Sequence, residues 1–337
     1  MLPSFGGMME VVPGERQVAY PLPAHASTEI TDFLRPLGSA EVTPGFLAWL
    51  PGGRVFGSGN VLSPDGEAIA RDVSPDFGKP FAEHWLLAFK KIRQPVPLAG
   101  PVAVAATTLG MGYSHWLLEE LPRLLMLPPD VVDTLIGHGA SAYNREALRL
   151  HGFTGRFIEA EREAHFACEQ LIIPRLPGEA GQPTSSVTSR LAEFTAPLHT
   201  ETSAFGERLY ISRENARRRR VSNEAMLWPQ LEAKGFRRIH LENLSWAEQV
   251  NAFRHAKVIV APHGAGLANL AFCRPQTQVV EFFHRSYLNP CFWRLSALLG
   301  LDYRPVVSIG PQLPAYEQAG GRLDIEADVA TISNAAD

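Results

Sequence analysis

Lysine is scarce in this chain: of 31 basic residues only Lys79, Lys90, Lys91, Lys234 and Lys257 are lysines, which leaves 26 arginines. Arginine is a planar fork suited to phosphate and carboxylate, whereas lysine is a point charge; genomic base composition produces the same bias, so the excess alone proves nothing. Cysteine is nearly absent. Cys168, Cys273 and Cys291 are an odd number without a CxxC spacing, which argues against a disulfide framework or a zinc site of the usual kind and fits a reducing compartment. No uncharged apolar run reaches the ~18 residues of a membrane span. The opening MLPSFGGMMEVVPGERQ has no basic segment leading into an apolar one, so no signal peptide is expected and the chain reads as soluble and intracellular. HExxH, GxxxxGK and GxSxG motifs are missing. So is any DxD triplet, which argues against holding a diphosphate through a carboxylate-bound Mg²⁺ or Mn²⁺.

What is present is ordinary globular composition: 337 residues, 45% hydrophobic and 20% charged. The length suits two domains of roughly 150 residues, each with its own core. A net charge of −4 does not suggest a nucleic-acid binder. Residues 1–100 are rich in proline and glycine, with short apolar runs and turns such as Ser63-Pro64-Asp65-Gly66, and predict a β-rich opening. From residue 101 the pattern alternates strand and helix: strands near 102–107, 131–136 and 170–173, helices over 114–127 and 144–151. Residues 177–189 read as a linker region. Beyond them come strands at 208–212, 236–241, 257–261 and 278–283. The helices between run over 223–234, ended by Gly235, and from the capping box at Ser245 and Glu248 to His255. This alternation implies a parallel sheet with helices on both faces, and ligands on such sheets sit at the carboxyl ends of the strands.

Four stretches carry candidate chemistry. The run VIVAPHGAGLAN (residues 258–269) takes a strand through a glycine turn into a helix start, where backbone N–H groups can receive a phosphate and His263 can add a hydrogen bond; a plain tight turn needs the same glycines. The run YISRENARRRR (residues 210–220) sets five arginines past a strand's carboxyl end, as a pyrophosphate clamp or as a solvated basic loop. In GYSHWLLEELPR (residues 112–123), His115 and Glu119 share a helix face, as general base and partner or as a surface pair. Glu281 lies in the apolar run VVEFF, where a carboxylate needs a partner: ribose hydroxyls or an arginine. His138, His165, His199 and His240 lack ligand-like spacing and read as incidental.

Taken in order, HWLLEELPR, LYISRENARRRRVSNE, EQVNAFRHA and VIVAPHGAGLANLAF with the Val279-Val280-Glu281 strand resemble glycosyltransferase family 61, whose bacterial members are often capsular polysaccharide biosynthesis proteins. The resemblance spans residues 112–283. It implies an α/β fold of GT-B type: two Rossmann-like domains facing across a cleft, behind a β-rich N-terminal segment. The acceptor-side domain would cover residues 1–195 (β-rich over 1–100) and the nucleotide-sugar domain 196–310. The tail, 311–337, is shorter and less helical than a GT-B closing helix, which leaves open whether it crosses back to the first domain. Matched position by position, the resemblance puts donor contacts on Arg213, Arg219, His263, Gly264, Ala265, Gly266, Asn269 and Glu281, the last at the ribose. It puts the catalytic acid/base residues on Glu119 and His115.

The activity implied is inverting, metal-independent transfer from a nucleotide sugar, typically a UDP-sugar, to a glycan or glycolipid hydroxyl. No cofactor and no nucleic acid are expected. The implied place is the cytoplasm, with peripheral contact at the inner membrane face left open. Arg213, Arg219 and His263 would neutralise the leaving group in place of a metal. Glu119, with His115 as the second candidate, would deprotonate the acceptor. A nucleotide-sugar epimerase and a non-catalytic sugar-nucleotide or glycan-binding protein remain as rivals.

Overall fold

The computed structural model describes residues 7–14, 17–76, 80–88, 92–179, 181–310, 312–313 and 323–337. Most of the first part of the tail, 311 and 314–322, lies outside the described residues, as do Lys79, Lys90 and Lys91. The chain forms two compact units, the first from residues up to 16 and 41–190, the second from 17–40 and 191–337. The fold class is mixed α/β. No helix among the described residues is long and apolar enough to cross a membrane.

Unit 1 is built on an eight-stranded mixed sheet. The proline- and glycine-rich opening supplies its antiparallel part: Met8–Val12 pairs Gly45–Pro51, which pairs His165–Arg175, while Arg54–Phe56 pairs the same long strand and Asn60–Leu62. The rest is parallel, with His165–Arg175 beside Val96–Val104, then Thr134–Gly137, then Arg156–Glu159. Val55, Val102, Ile136 and Leu171 form the centre of the core, each fully buried. Part of the expected linker region is helical. Its hydroxyl-rich residues open a helix over Ser185–Thr195, with Val187 and Leu191 buried; the residues from 191 on belong to the second unit.

The helix expected over 114–127 spans 113–124 and is not uniform. Trp116–Glu120 forms a π-helical turn, with the Leu121 N–H reaching back five residues to the Trp116 carbonyl. Pro122 supplies the reason: it has no N–H to give to Leu118, and its ring would strike that carbonyl in a regular α-helix. Such turns put an extra residue into the helix and recur at functional sites.

Unit 2 carries a five-stranded parallel sheet ordered Arg237–Ile239, Arg208–Ile211, Val258–Pro262, Gln278–Phe283, Asp302–Val307. In sequence order this is 2-1-3-4-5, a doubly wound sheet whose direction of winding reverses between the strands at 208–211 and 258–262. Strands buried on both faces are continuous apolar runs, and Ile259, Val260, Val279 and Val280 are fully buried. The helix Trp246–His255 opens on the expected capping box, and Glu224–Ala233 gives way to Gly235 at φ +79°.

Two further segments complete this unit. Residues 17–40 are tied to the helix Cys291–Leu299: Trp293 donates its indole N–H to the Pro21 carbonyl at 2.9 Å, and Arg294 lies over the Tyr20 ring and donates to the Leu37 carbonyl. The end of the chain packs into the same core through Ile325, Ala327, Ile332 and Ala336. Arg208, Gln278 and Arg304 cap the carbonyls that close the helix Val329–Ala335, where positive charge and donors are favoured.

Candidate active site

The winding reversal in unit 2 selects one place for a ligand, the carboxyl ends of the strands at 208–211 and 258–262. These ends release Ser212-Arg213 on one side and His263-Gly264 on the other. They converge: a Cβ on Gly264 would fall on the Arg213 guanidinium. Gly264 is extended at φ 178°, so it is glycine for space and not for a special backbone conformation. The arginine fills the gap that the turn's glycine leaves.

Arg213 Nε donates to the Arg219 carbonyl at 3.2 Å and Nη2 to that of Arg218 at 2.8 Å. Arg219 donates from Nε to the His263 carbonyl at 3.1 Å and lies over the Tyr287 ring. Arg219 is one of two non-glycine residues with positive φ among the described residues, at 55°, a conformation that persists only when its surroundings fix it. Its neighbour Arg220 supplies that hold through a two-pronged bond from Nε and Nη2 to Asp324, and Ile325 donates to the Arg220 carbonyl at 2.7 Å. Burial, followed by repulsion from Arg219, pushes the Arg213 guanidinium down to about 10. Burial also lowers Arg219. Both stay charged near neutrality. Among the described residues no carboxylate lies within ion-pair distance of Arg213, so the site has positive charge to spare for an anion.

Behind the arginines the buried carboxylate of Glu281 joins two partners, His263 Nδ1 at 2.6 Å and the Tyr303 hydroxyl at 2.6 Å. Burial first, then the Glu281 charge, raises the Tyr303 phenol well above its ordinary range, so it remains a donor. With Nδ1–H directed at the carboxylate, Nε2 of His263 has no partner among the described residues. The ring is fixed by Phe283, Tyr287 and Phe292 at centroid distances of 5.2–5.5 Å. The ribose role expected for Glu281 does not fit: the residue is 0% exposed and both oxygens are taken. It orients His263 instead.

The helix expected after Gly264 is present as a 3₁₀ helix over Ala265–Phe272. Asn269 is fully buried and donates to Gln249 and to the Gly266 carbonyl. It pins the turn to the helix at 246–255 and does not face a ligand. Gly266 is glycine because Leu241 packs where a side chain would start. Ala265 is the half-buried residue between the two glycines.

Unit 1 holds the other expected pair. His115 Nδ1 and Glu119 Oε1 are 2.5 Å apart, and Glu119, only 8% exposed, lines a cavity of about 450 Å³ within that unit. The adjacent Glu120 is buried against His138, accepting from its backbone N–H at 2.6 Å and meeting its Nδ1 at 2.8 Å. His138 is thus not incidental. Burial pulls its imidazole down, but the Glu120 bond and charge more than offset that, and its pKa is raised. Its position just past the strand at 134–137 was the available signal. Arg123, in the same helix and the same cavity wall, and Tyr303 are also absent from the residues expected. Among the described residues no group of three or more His, Cys, Asp or Glu converges as a metal site.

The family model described as Glycosyltransferase 61 matches residues 113–280, from the start of the π-turned helix to the strand that carries Glu281. Beta-1,2-xylosyltransferase RCN11 of Oryza sativa subsp. japonica is 33% identical over 95 residues, 26% of this chain and 18% of that protein. A beta-1,2-xylosyltransferase of Arabidopsis thaliana is 33% identical over 63 residues, 19% of this chain and 12% of its own length. The match therefore spans less than a fifth of either curated relative.

Proposed function

From the match of residues 113–280 to the glycosyltransferase 61 family model, we propose that the protein transfers a sugar from a nucleotide-sugar donor to a hydroxyl acceptor. The observation that carries this reading is Arg213, a half-buried cation with no carboxylate partner at the winding reversal of a parallel sheet, with Arg219 alongside. A diphosphate leaving group is the anion such a pair suits.

Within this reading the enzyme is of GT-B class, with donor nucleotide on unit 2 and acceptor on unit 1. Transfer is inverting. The acceptor oxygen bonds to the anomeric carbon as the bond from that carbon to the phosphate oxygen breaks, and the acceptor proton passes to Glu119. The electron pair leaves with the nucleoside diphosphate, whose growing charge Arg213, Arg219 and the His263 Nε2 side meet without a metal. Glu119 is preferred to His115 as base because Glu119 lines the cavity in unit 1, while His115 secures its other oxygen. UDP is the proposed nucleotide, and bacterial surface polysaccharide synthesis at the cytoplasmic side is the proposed setting. The xylosyl transfer named for the two relatives puts a UDP-pentose first among donors to test.

The test combines thermal shift against a nucleotide and nucleotide-sugar panel with release of nucleoside diphosphate. A donor bound to the folded state raises the melting temperature by mass action. Stabilisation by one UDP-sugar together with acceptor-dependent UDP release supports the reading. Conversion of the sugar nucleotide without acceptor points to an epimerase, and binding without turnover on any acceptor to a silent binding protein.

A further inference from the structure

The cavity in unit 1 holds a second unpaired cation. Arg123 is 8% exposed and lines the same wall as Glu119. A guanidinium has five N–H donors, and the structure accounts for one bond, from Nη1 to the Ala106 carbonyl at 3.2 Å. The neighbouring carboxylates are committed elsewhere. Glu120 spends both oxygens on His138, and Glu119 directs Oε1 at His115. Among the described residues no carboxylate lies within ion-pair distance of Arg123.

The other arginine deep in the cavity is different. Arg175 bonds to the carbonyls of Asp72, Pro44, Leu176 and Gly178 and to the Thr43 hydroxyl, so its donors are spent on scaffold. Asp72 and Glu179 also line the cavity and are exposed; Asp76 lines it too, half-buried and accepting from the Trp85 backbone N–H at 3.0 Å. Phe81, half-buried beneath Arg71 at 5.5 Å, adds an aromatic face of the sort on which a sugar ring can rest.

The charges of Glu119 and Glu120 offset part of the cost of burying this guanidinium, but its remaining N–H donors have no bonded partner among the described residues, and its geometry matches a carboxylate or a phosphate in two-point contact. We propose that this cavity binds an acceptor sugar bearing an oxyanion, with Arg123 holding the oxyanion beside the Glu119 that takes the hydroxyl proton. The inference rests on the glycosyltransferase reading for the word acceptor, but the binding itself requires neither donor nor turnover. The oxyanion has two sources, a uronic-acid carboxylate or a sugar phosphate.

Calorimetric titration of the full chain without donor separates them. The probes are a glucuronate-terminated disaccharide, its carboxyl-reduced neutral counterpart, and glucose 1-phosphate. The wild type is expected to bind at least one anionic probe on the order of tenfold more tightly than the neutral one, as for a charge-assisted bond. Arg123→Gln should erase that preference, and Arg123→Lys should keep part of it. Preference for the disaccharide assigns the oxyanion to a carboxylate, and preference for glucose 1-phosphate assigns it to a phosphate. Equal affinities in the wild type, or no binding of any probe, overturn the proposal even if the variants fail to fold. A preference that survives Arg123→Gln also overturns it. A wild-type preference without sugar transfer leaves this site standing and removes only the transferase reading. Transfer to neutral acceptors with no preference does the reverse.

Discussion

His263 Nδ1 lies 2.6 Å from Glu281 Oε1, and the second oxygen of that carboxylate accepts the Tyr303 hydroxyl at the same distance. Three adjacent parallel strands supply the three groups. Glu281 is in register with Ala261 on one side and Pro305 on the other, so the carboxylate sits near the level at which His263 leaves its strand. A wholly buried carboxylate is tolerated only with such partners. The arrangement fixes Nδ1 on the carboxylate and leaves Nε2 without a partner among the described residues.

Glu281→Gln is therefore expected to act through His263. Both partners are donors, and an amide accepts on one side only, so one of them loses its acceptor at a cost of about 1–3 kcal/mol. Melting temperature should fall and UDP affinity should drop with it, by roughly tenfold if the ring turns. Tyr303→Phe should show the smaller form of both effects. A Glu281→Gln protein with unchanged stability and weakened ribonucleotide binding would instead restore the ribose contact.

Gly264→Ala tests the contact between the turn and the first arginine. The added methyl group occupies the place of the Arg213 guanidinium, and extended backbone at 264 tolerates alanine, so the chain should fold with Arg213 displaced. Donor affinity is expected to fall about as far as in Arg213→Ala, by ~1.5–3 kcal/mol for a charged hydrogen-bonding group. The two substitutions share one target and should be non-additive. Calorimetry on the double-mutant cycle decides it, and full additivity would sink the idea.

Much of this site was legible, and the remainder was not for physical reasons. The strand at 258–262, the capping box at Ser245 and Glu248, and the arginine loop are local patterns, and the carboxyl-end rule placed Arg213 and His263 correctly relative to the sheet. The partner of Glu281 was not local. Tyr303 stands in the run DYRPVV, whose strand contact with Glu281 exists only once the sheet is ordered. The 3₁₀ segment AGLANLAF is apolar nearly all round, so it has no face by which its period could be read. The π-turn follows from Pro122 inside an otherwise helical pattern, which sequence rules treat as a helix end. Residues 17–40 join unit 2 through Trp293 and Arg294, contacts that cross some 270 positions and leave no local trace.

The buried Glu120–His138 pair predicts a pH-dependent stability. The folded imidazole is held protonated above its ordinary value of about 6.5 by Glu120, against the opposing effect of burial. A raised folded pKa stabilises fully below the unfolded value and less as pH rises through the folded one. The melting-temperature gap between the wild type and His138→Gln should thus be widest near pH 6 and narrow towards pH 8. It should not close entirely, because Glu120 also accepts the backbone N–H of residue 138. A gap that stays constant or widens over that range would show the pair to be neutral.

Glu119→Gln separates chemistry from binding. The amide keeps the size and a hydrogen bond to His115 but cannot take a proton, and general-base catalysis contributes about 10²–10⁴-fold. Transfer should fall within that range, with donor affinity unchanged because the residues proposed to hold the donor belong to unit 2. His115→Gln leaves the carboxylate in the cavity wall and removes only its Oε1 partner, so a smaller loss is expected, about tenfold for one hydrogen bond. The order of the two losses carries the assignment. If His115→Gln is the more damaging and Glu119→Gln the milder, the imidazole is the base and the carboxylate merely orients it through Nδ1. Single-turnover measurements at saturating donor are the proper readout, since slow product release would hide either loss in kcat.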